Sequence, residues 1–379
     1  MNRSLNARSC YAVIRSAAFA VALCAALGGV AATAADLDVP QLRIAAEKGF
    51  IQPEIELAAA YFSGRGVPQD LKMAAHWYLK AAESGDPGAQ NEMGYLYQTG
   101  AGVPADPERA LHWYQLSSAA GFVNAKVNLG VLYVWGIGVA KSAELAAQFF
   151  REAASKGNGI AASYLGDLYF FGIGMKQNTA TAEGWYAKGC KLHDPMAAFN
   201  LASLLSGMGG HPRDLSHAAN LFRVSAAAGY VSAMYSLGLL LVNHPNLAKS
   251  EQEARSLLET ASNAGWWKSS AVLGLLSRDG NGTALDAEAA YRYFQIAVLQ
   301  GGDEPKRLLA NDIQTLSAKL SPGQSEALTR DANNWYQDHH LVLAFVYKEG
   351  RKDSHFPATA LSIADQGVHA GQLVWFPPA

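Results

Sequence analysis

The chain has 379 residues, half of them apolar, and a formal charge of only −2. That is enough to bury a large core, but no run of Lys and Arg is present to hold a phosphate backbone, so nucleic acid is not an expected partner. Three cysteines are too few for a disulfide scaffold, and stability must come from packing.

In chain order, Arg3, Arg8 and Arg15 accompany an apolar stretch from Ser16 to Ala31. Ala32-Thr33-Ala34 then offers a small-residue cleavage site before Asp36 and Asp38. This is the layout of a secretory signal peptide over residues 1–35, and it predicts an exported chain, periplasmic or secreted. The stretch is short for a bilayer span of about 20 residues, and no later stretch is apolar enough to be one. In Val21-Ala22-Leu23-Cys24 a bulky Leu stands where a lipoprotein signal needs a small residue. Loss of the leader leaves Cys190 alone, at a register position otherwise held by Ala82, Ala154 and Ala226, which predicts a buried packing thiol.

From residue 53 to about 304 one period dominates. Leu57, Met93, Leu129, Leu165, Leu201, Leu237 and Leu273 lie 36 residues apart, each followed by Gly or Ala. Ala74, Ala110, Ala146, Ala182, Ala218, Ala254 and Ala290 form a second series. Three and four residues beyond each of these come bulky pairs such as Trp77-Tyr78, Trp113-Tyr114 and Trp185-Tyr186. Within a block, Ala89, Met93, Leu96 and Tyr97 mark one apolar face of a first helix. Gly100 to Pro104 ends it. Asp106 caps a second helix, with Pro107 at its first position and Ala110, Trp113, Tyr114 and Ser117 facing inward. Gly94 and its equivalents cost about 0.5–1 kcal/mol inside a helix. The offsetting gain must be a close helix approach, with the small Ala of the second helix as the expected opposite surface. One helix pair cannot bury its face alone, so the pairs must stack. The expected fold is all-α, a right-handed α/α superhelical solenoid of antiparallel helix pairs. Residues 36–52 form a half-repeat cap and 305–338 capping helices, while the tail, 339–379, has no assigned structure. Within that tail Leu341 to Tyr347 fits either a strand or a short helix.

The run LGxLYxxGxGV, as in Leu129 to Val139, then Asp, then AxxWY, as in Ala182 to Tyr186, resembles the Sel-one-like repeat, a relative of the tetratricopeptide repeat. The resemblance covers residues 40 to about 304. The fifth block departs from it at Ser206 to Gly210, and the sixth at Val242 to Asn246, where Asn is expected to supply the left-handed turn. The resemblance implies an adaptor that binds proteins or organises complexes.

Positions three before, one after and four after the repeat Gly share one helix face. In tetratricopeptide relatives this face lines the concave surface. It reads Asn91, Tyr95, Gln98; Val127, Val131, Val134; Ser163, Asp167, Phe170; Phe199, Ser203, Ser206; Tyr235, Leu239, Val242, with Phe62 and Arg278 at the ends. The expected ligand-binding residues are Asn91, Tyr95, Gln98, Val131, Asp167, Phe170, Phe199 and Tyr235, holding a protein or peptide segment. The Val and Leu members fit packing against adjacent helices equally well. On the ligand-facing reading, replacing Tyr95, Phe170 and Tyr235 by Ala weakens capture without lowering the melting temperature.

No catalytic residue, metal site or cofactor is expected. G-x-G fragments such as Gly136-Ile137-Gly138 are turns, because no preceding strand or following G-x-x-G accompanies them. His76 and His112 recur one repeat apart without a recurring third ligand. Asn281-Gly282-Thr283 matches a glycosylation acceptor, but its Gly belongs to the repeat turn. Two alternatives remain. An envelope glycan would use an outward-facing Trp266-Trp267 pair, which fits a hydrophobic staple as well. A β-lactamase-like hydrolase is suggested by some secreted members of the family, but those carry a cysteine pair per repeat, and no S-x-x-K occurs here.

Overall fold

A computed structural model describes residues 38–350 apart from 211, 251 and 281–284, with side chains given to Asp338 except at residue 209. The signal peptide expected over residues 1–35, the Asn281-Gly282-Thr283 motif and the chain beyond residue 350 lie outside the described residues.

Among the described residues the regular elements are all helical. A single helix α1 (Val39–Glu47) precedes the pairs α2 (Ile51–Ser63) and α3 (Leu71–Glu83), α4 (Pro87–Thr99) and α5 (Pro107–Ala119), α6 (Val123–Trp135) and α7 (Ala143–Ser155), and α8 (Gly159–Phe171) and α9 (Thr179–Lys191). There follow α10 (Pro195–Leu205) and α11 (Leu215–Ala227), α12 (Val231–Asn243) and α13 (Glu253–Asn263), and α14 (Trp267–Asp279) and α15 (Ala287–Gly301). Short helices α16 (Asp303–Leu308) and α17 (Ala310–Ser317) lead to α18 (Pro322–Gly350), which continues as helix through Leu341 to Tyr347. The chain divides into two compact units, residues 1–193 and 194–379.

Side-chain caps set most second-helix starts. Asp70, Asp106, Ser142, Asn178, Asp214 and Asp286 each accept the backbone N–H three residues on, satisfying a donor that the helix itself cannot. In unit 1 every first helix stops at a left-handed glycine: Gly64, Gly100, Gly136 or Gly172. Within each unit every second helix packs against its pair partner and against the first helix of the following repeat, and Leu57, Met93, Leu129 and Leu165 are buried. Each such side chain contributes about 1.5–3 kcal/mol.

Gly94, Gly130 and Gly166 are sites of close approach, but the opposite surface is an aromatic ring and not the second-helix Ala. A Cβ on these glycines would lie 2.6 Å from Tyr114, 2.4 Å from Phe150 and 2.3 Å from Tyr186. The ring stands four residues beyond the Ala on the same helix face, and it is large enough to cross the gap to the bare backbone. The second glycine of the G-x-G turn has a different task. A Cβ on Gly138 (φ 66°) would lie 2.4 Å from the carbonyl oxygen of Pro107, where the preceding repeat's second helix begins.

Unit 2 keeps the period with other turns. α10 ends after 11 residues and a 3₁₀ turn, Met208–Gly210, follows. α12 ends at His244 (φ −134°) before a 3₁₀ turn, Pro245–Leu247. The left-handed Asn expected there is absent: Asn243 closes the helix and Asn246 sits inside the 3₁₀ turn. The one non-glycine residue with positive φ among the described residues is His193, at 60°, where other repeats have Gly85, Gly121 and Gly157. At the end of the unit α15 packs against α16, α17 and α18, and Trp267, Phe294, Leu309 and Leu316 share one apolar cluster.

Candidate ligand-facing surface

In unit 1 the register places Asn91, Tyr95 and Gln98 on α4, Val131 on α6, and Asp167 and Phe170 on α8. All six are buried, from 0% exposure at Asp167 to 7% at Tyr95 and Val131. They are engaged with neighbours. Asn128 donates its Nδ2 to Asn91 Oδ1 at 2.8 Å, linking the first helices of successive repeats, and Asn91 Nδ2 donates to Glu92 Oε1 at 3.3 Å. The Tyr95 ring lies 6.4 Å from Phe62, which is half-buried. Phe170 meets Phe171 edge-on at 5.0 Å.

The rings that cover the glycines also reach this face. The Tyr114 hydroxyl donates to Gln98 Oε1 at 2.7 Å, and the Tyr186 hydroxyl to Asp167 Oδ1 at 2.7 Å. Burial, followed by Glu92 and Tyr95 for Tyr114 and by Asp167 for Tyr186, holds both phenols well above their ordinary pKa. Both therefore remain donors. Among the described residues Gln98 Nε2 has no hydrogen-bond partner.

In unit 2 Phe199 is fully enclosed and meets Phe222 at 5.5 Å. Tyr235 lies 6.2 Å from Trp266, and burial pushes its hydroxyl up to about 12. Ser206, Leu239 and Val242 on the same face are half-buried. Arg278 is committed to Asp279 and Asp312, so it closes the last repeat. The enclosure of Tyr95, Phe170 and Tyr235 corrects one expectation: truncation to Ala there opens cavities worth about 3–5 kcal/mol and lowers the melting temperature.

The alternative sites fare differently. Trp267 is not outward-facing; it is 4% exposed, in the cluster with Phe294, while Trp266 is the half-buried N-cap residue of α14. His76 and His112 are exposed, edge-on to Trp77 and Trp113. Among the described residues no group of three or more His, Cys, Asp or Glu is placed to hold a metal. Cys190 is half-buried, less enclosed than Ala82 or Ala154.

Sequence reasoning overlooked Glu92, Asn128, Tyr114 and Tyr186 as members of this surface. A signal was present. In the second and fourth blocks a Tyr at the ring position accompanies Gln98 or Asp167, whereas Phe150 in the third accompanies Val131 and Val134.

Paired helices repeating at 36 residues, with a first-helix face whose chemistry changes from block to block, define a helical-repeat scaffold. The chain belongs to the Sel1 repeat family. Seven copies match, over residues 54–86, 87–122, 123–158, 159–194, 195–230, 231–266 and 268–302. Proteins of this family are generally protein–protein interaction scaffolds. A Sel1 repeat protein from Oxalobacter formigenes is 30% identical over 56% of this chain and 86% of its own, with a TM-score of 0.50. A protective antigen of uropathogenic Escherichia coli with an SLR fold is 26% identical over 82% of this chain and 74% of its own, with a TM-score of 0.44. An immunity protein from Pseudomonas aeruginosa is 23% identical over 59% of this chain and 83% of its own, with a TM-score of 0.40. No curated protein matches the chain significantly. Among the described residues no helix is long and apolar enough to cross a membrane.

Proposed function

We propose that this protein is an exported, non-enzymatic scaffold that holds a peptide or protein segment along the first-helix face. One observation carries the reading. The packing positions repeat their chemistry from block to block, while the −3, +1 and +4 positions do not: Asn91, Val127, Ser163, Phe199 and Tyr235 share one register. Packing alone demands no such variety, whereas recognition of an irregular ligand does. The tight enclosure of this face within each unit favours a slender extended segment touching the half-buried members of that unit, Phe62 in unit 1 or Leu239 and Val242 in unit 2. Residues 1–35 supply the export signal in this reading.

The test is capture from an envelope extract, with and without prior protease digestion, using the wild type and the separate variants Phe62→Ser and Leu239→Ser. Protein is expected to be retained, digestion to abolish retention, and each variant to weaken it while the melting temperature falls little. Retention of protease-resistant glycan would replace this reading with the envelope-glycan one. Turnover of a chromogenic β-lactam above a heat-killed control would replace it with the hydrolase.

A further inference from the structure

The same register positions are covered in unit 1 and open in unit 2. Val131 and Val134 on α6 are sealed, at 7% and 8% exposure, whereas Leu239 and Val242, their equivalents on α12, are half-buried. The preceding first helix accounts for the difference. α4 runs 13 residues, to Thr99, and its Asn91 is bonded to Asn128 on α6. α10 starts at the equivalent residue, Pro195, but stops after 11, at Leu205, where a 3₁₀ turn takes over. Equivalent helices of a stack point the same way, so the half-turn missing from α10 falls beside the C-terminal half of α12. Leu239 and Val242 stand there. With Val231 and Tyr235 they follow the i, i+4, i+8, i+11 spacing of one stripe, about 16 Å long.

The border of this stripe offers little to a polar or charged group. Ser203 Oγ donates to the Phe199 carbonyl at 2.9 Å, Ser206 Oγ to the Ala202 carbonyl at 2.9 Å, and Asn243 Nδ2 to the Leu239 carbonyl at 3.1 Å. Each is turned back on its own helix. The ligand-facing positions of α10 and α12 carry no charge, and on α14 Arg278 is held by Asp279 and Asp312. A charged side chain brought here would lose its water and gain no counter-ion. An aliphatic one would cover Leu239 and Val242 at no such cost. We propose, resting on the scaffold reading above, that the uncovered end of the α12 stripe is the anchoring subsite for the bound segment and takes an uncharged aliphatic side chain.

The test uses the full chain with labelled Leu and Val methyl groups, titrated with capped nine-residue peptides of Ser and Gly. One carries Leu at its third, fifth and seventh positions; in two others the middle Leu is Lys or Asp. The all-Leu peptide should shift the Leu239 and Val242 methyl resonances, leave those of Val131 and Val134 in place, and bind about tenfold or more tightly than either charged peptide. Leu239→Asp should reverse the order, so that the Lys peptide binds more tightly than the all-Leu one. Should that variant fold poorly, the wild-type ranking decides alone. Equal binding of the three peptides, shifts at Val131 and Val134 instead, or no binding overturns the anchor. Shifts at Leu239 and Val242 that grow with protein concentration alone assign the stripe to a second copy of the chain and overturn it equally. Retention in the envelope capture, with the peptide ranking lost, removes the anchor and leaves the scaffold.

Discussion

In unit 1 every first helix ends at a left-handed glycine, and from α4 onward a ring lies across the backbone of a second glycine. In unit 2 only α14 keeps both features, with Gly280 at its end and Phe294 against Gly274. Repeat five has Ala202 in place of the glycine, and repeat six sets Leu258 against Gly238. Where its turn glycines are missing, repeat six uses charge. Arg223 on α11 donates to both carboxylate oxygens of Glu253, at 2.7 and 3.0 Å, and to the Leu247 carbonyl at 2.7 Å, tying the irregular loop to α13. Block length is the same throughout. The period therefore constrains how many residues separate the helices, and leaves open whether shape or hydrogen bonding closes the turn.

The largest effect is expected from Gly138→Ala in unit 1. It forces a side chain into the left-handed region and places a Cβ against the Pro107 carbonyl, where the backbone cannot give way cheaply. The strain and the overlap together cost about 3 kcal/mol, read as a lower urea midpoint at unchanged slope. A cost below about 1 kcal/mol would show that the G-x-G turn is not a steric lock.

Breaking the unit 2 tie is expected to cost less. The Arg223 and Glu253 side chains are 16% and 17% exposed, so solvent screens the pair only in part. Arg223→Ala should lower stability by about 1–2 kcal/mol, with a smaller loss at high salt. The pH response sharpens the contrast between units. The Arg223 bond, and after it the Lys249 N–H, lowers the Glu253 carboxyl below its ordinary value. Its stabilisation is present above the unfolded value of 4.5 and is lost as pH falls through the folded one. Acid should thus weaken the tie between α11 and α13. Acid melting of wild type and Arg223→Ala along parallel curves would remove Glu253 from this account.

The repeat was legible because its packing residues recur at fixed spacing; Leu57 to Leu273 and Ala74 to Ala290 need no tertiary knowledge. What lies opposite Gly94 was not legible, since facing residues depend on how two helices cross, and a 36-residue period says nothing of crossing angles. The candidate surface divides the same way. Register alone puts Asn91, Tyr95 and Gln98 on one face. Their enclosure follows from how near the neighbouring first helices come, of which the Asn91–Asn128 bond is the direct sign. The turn after α12 was misjudged because Asn243 and Asn246 have left-handed propensity in general, while here Pro245 opens a 3₁₀ turn.

The smallest effect is a gain, and it falls on the last residue of unit 1. Residues 85, 121 and 157 are glycines with φ near 90°, standing just after a second helix, and His193 fills the same register with φ 60°. A histidine held there costs about 1 kcal/mol that a glycine does not incur, partly offset by the greater freedom of an unfolded glycine. The His193 N–H donates to the Cys190 carbonyl at 3.0 Å, a bond that any residue at this position can make. His193→Gly should therefore stabilise the chain by about 0.5–1 kcal/mol. The mirror change, Gly157→Ala, places its Cβ in open space and should destabilise by a similar amount through backbone strain alone. If both substitutions move stability the same way, the left-handed residue after the second helix is not what limits this turn, and the register argument fails where unit 1 ends.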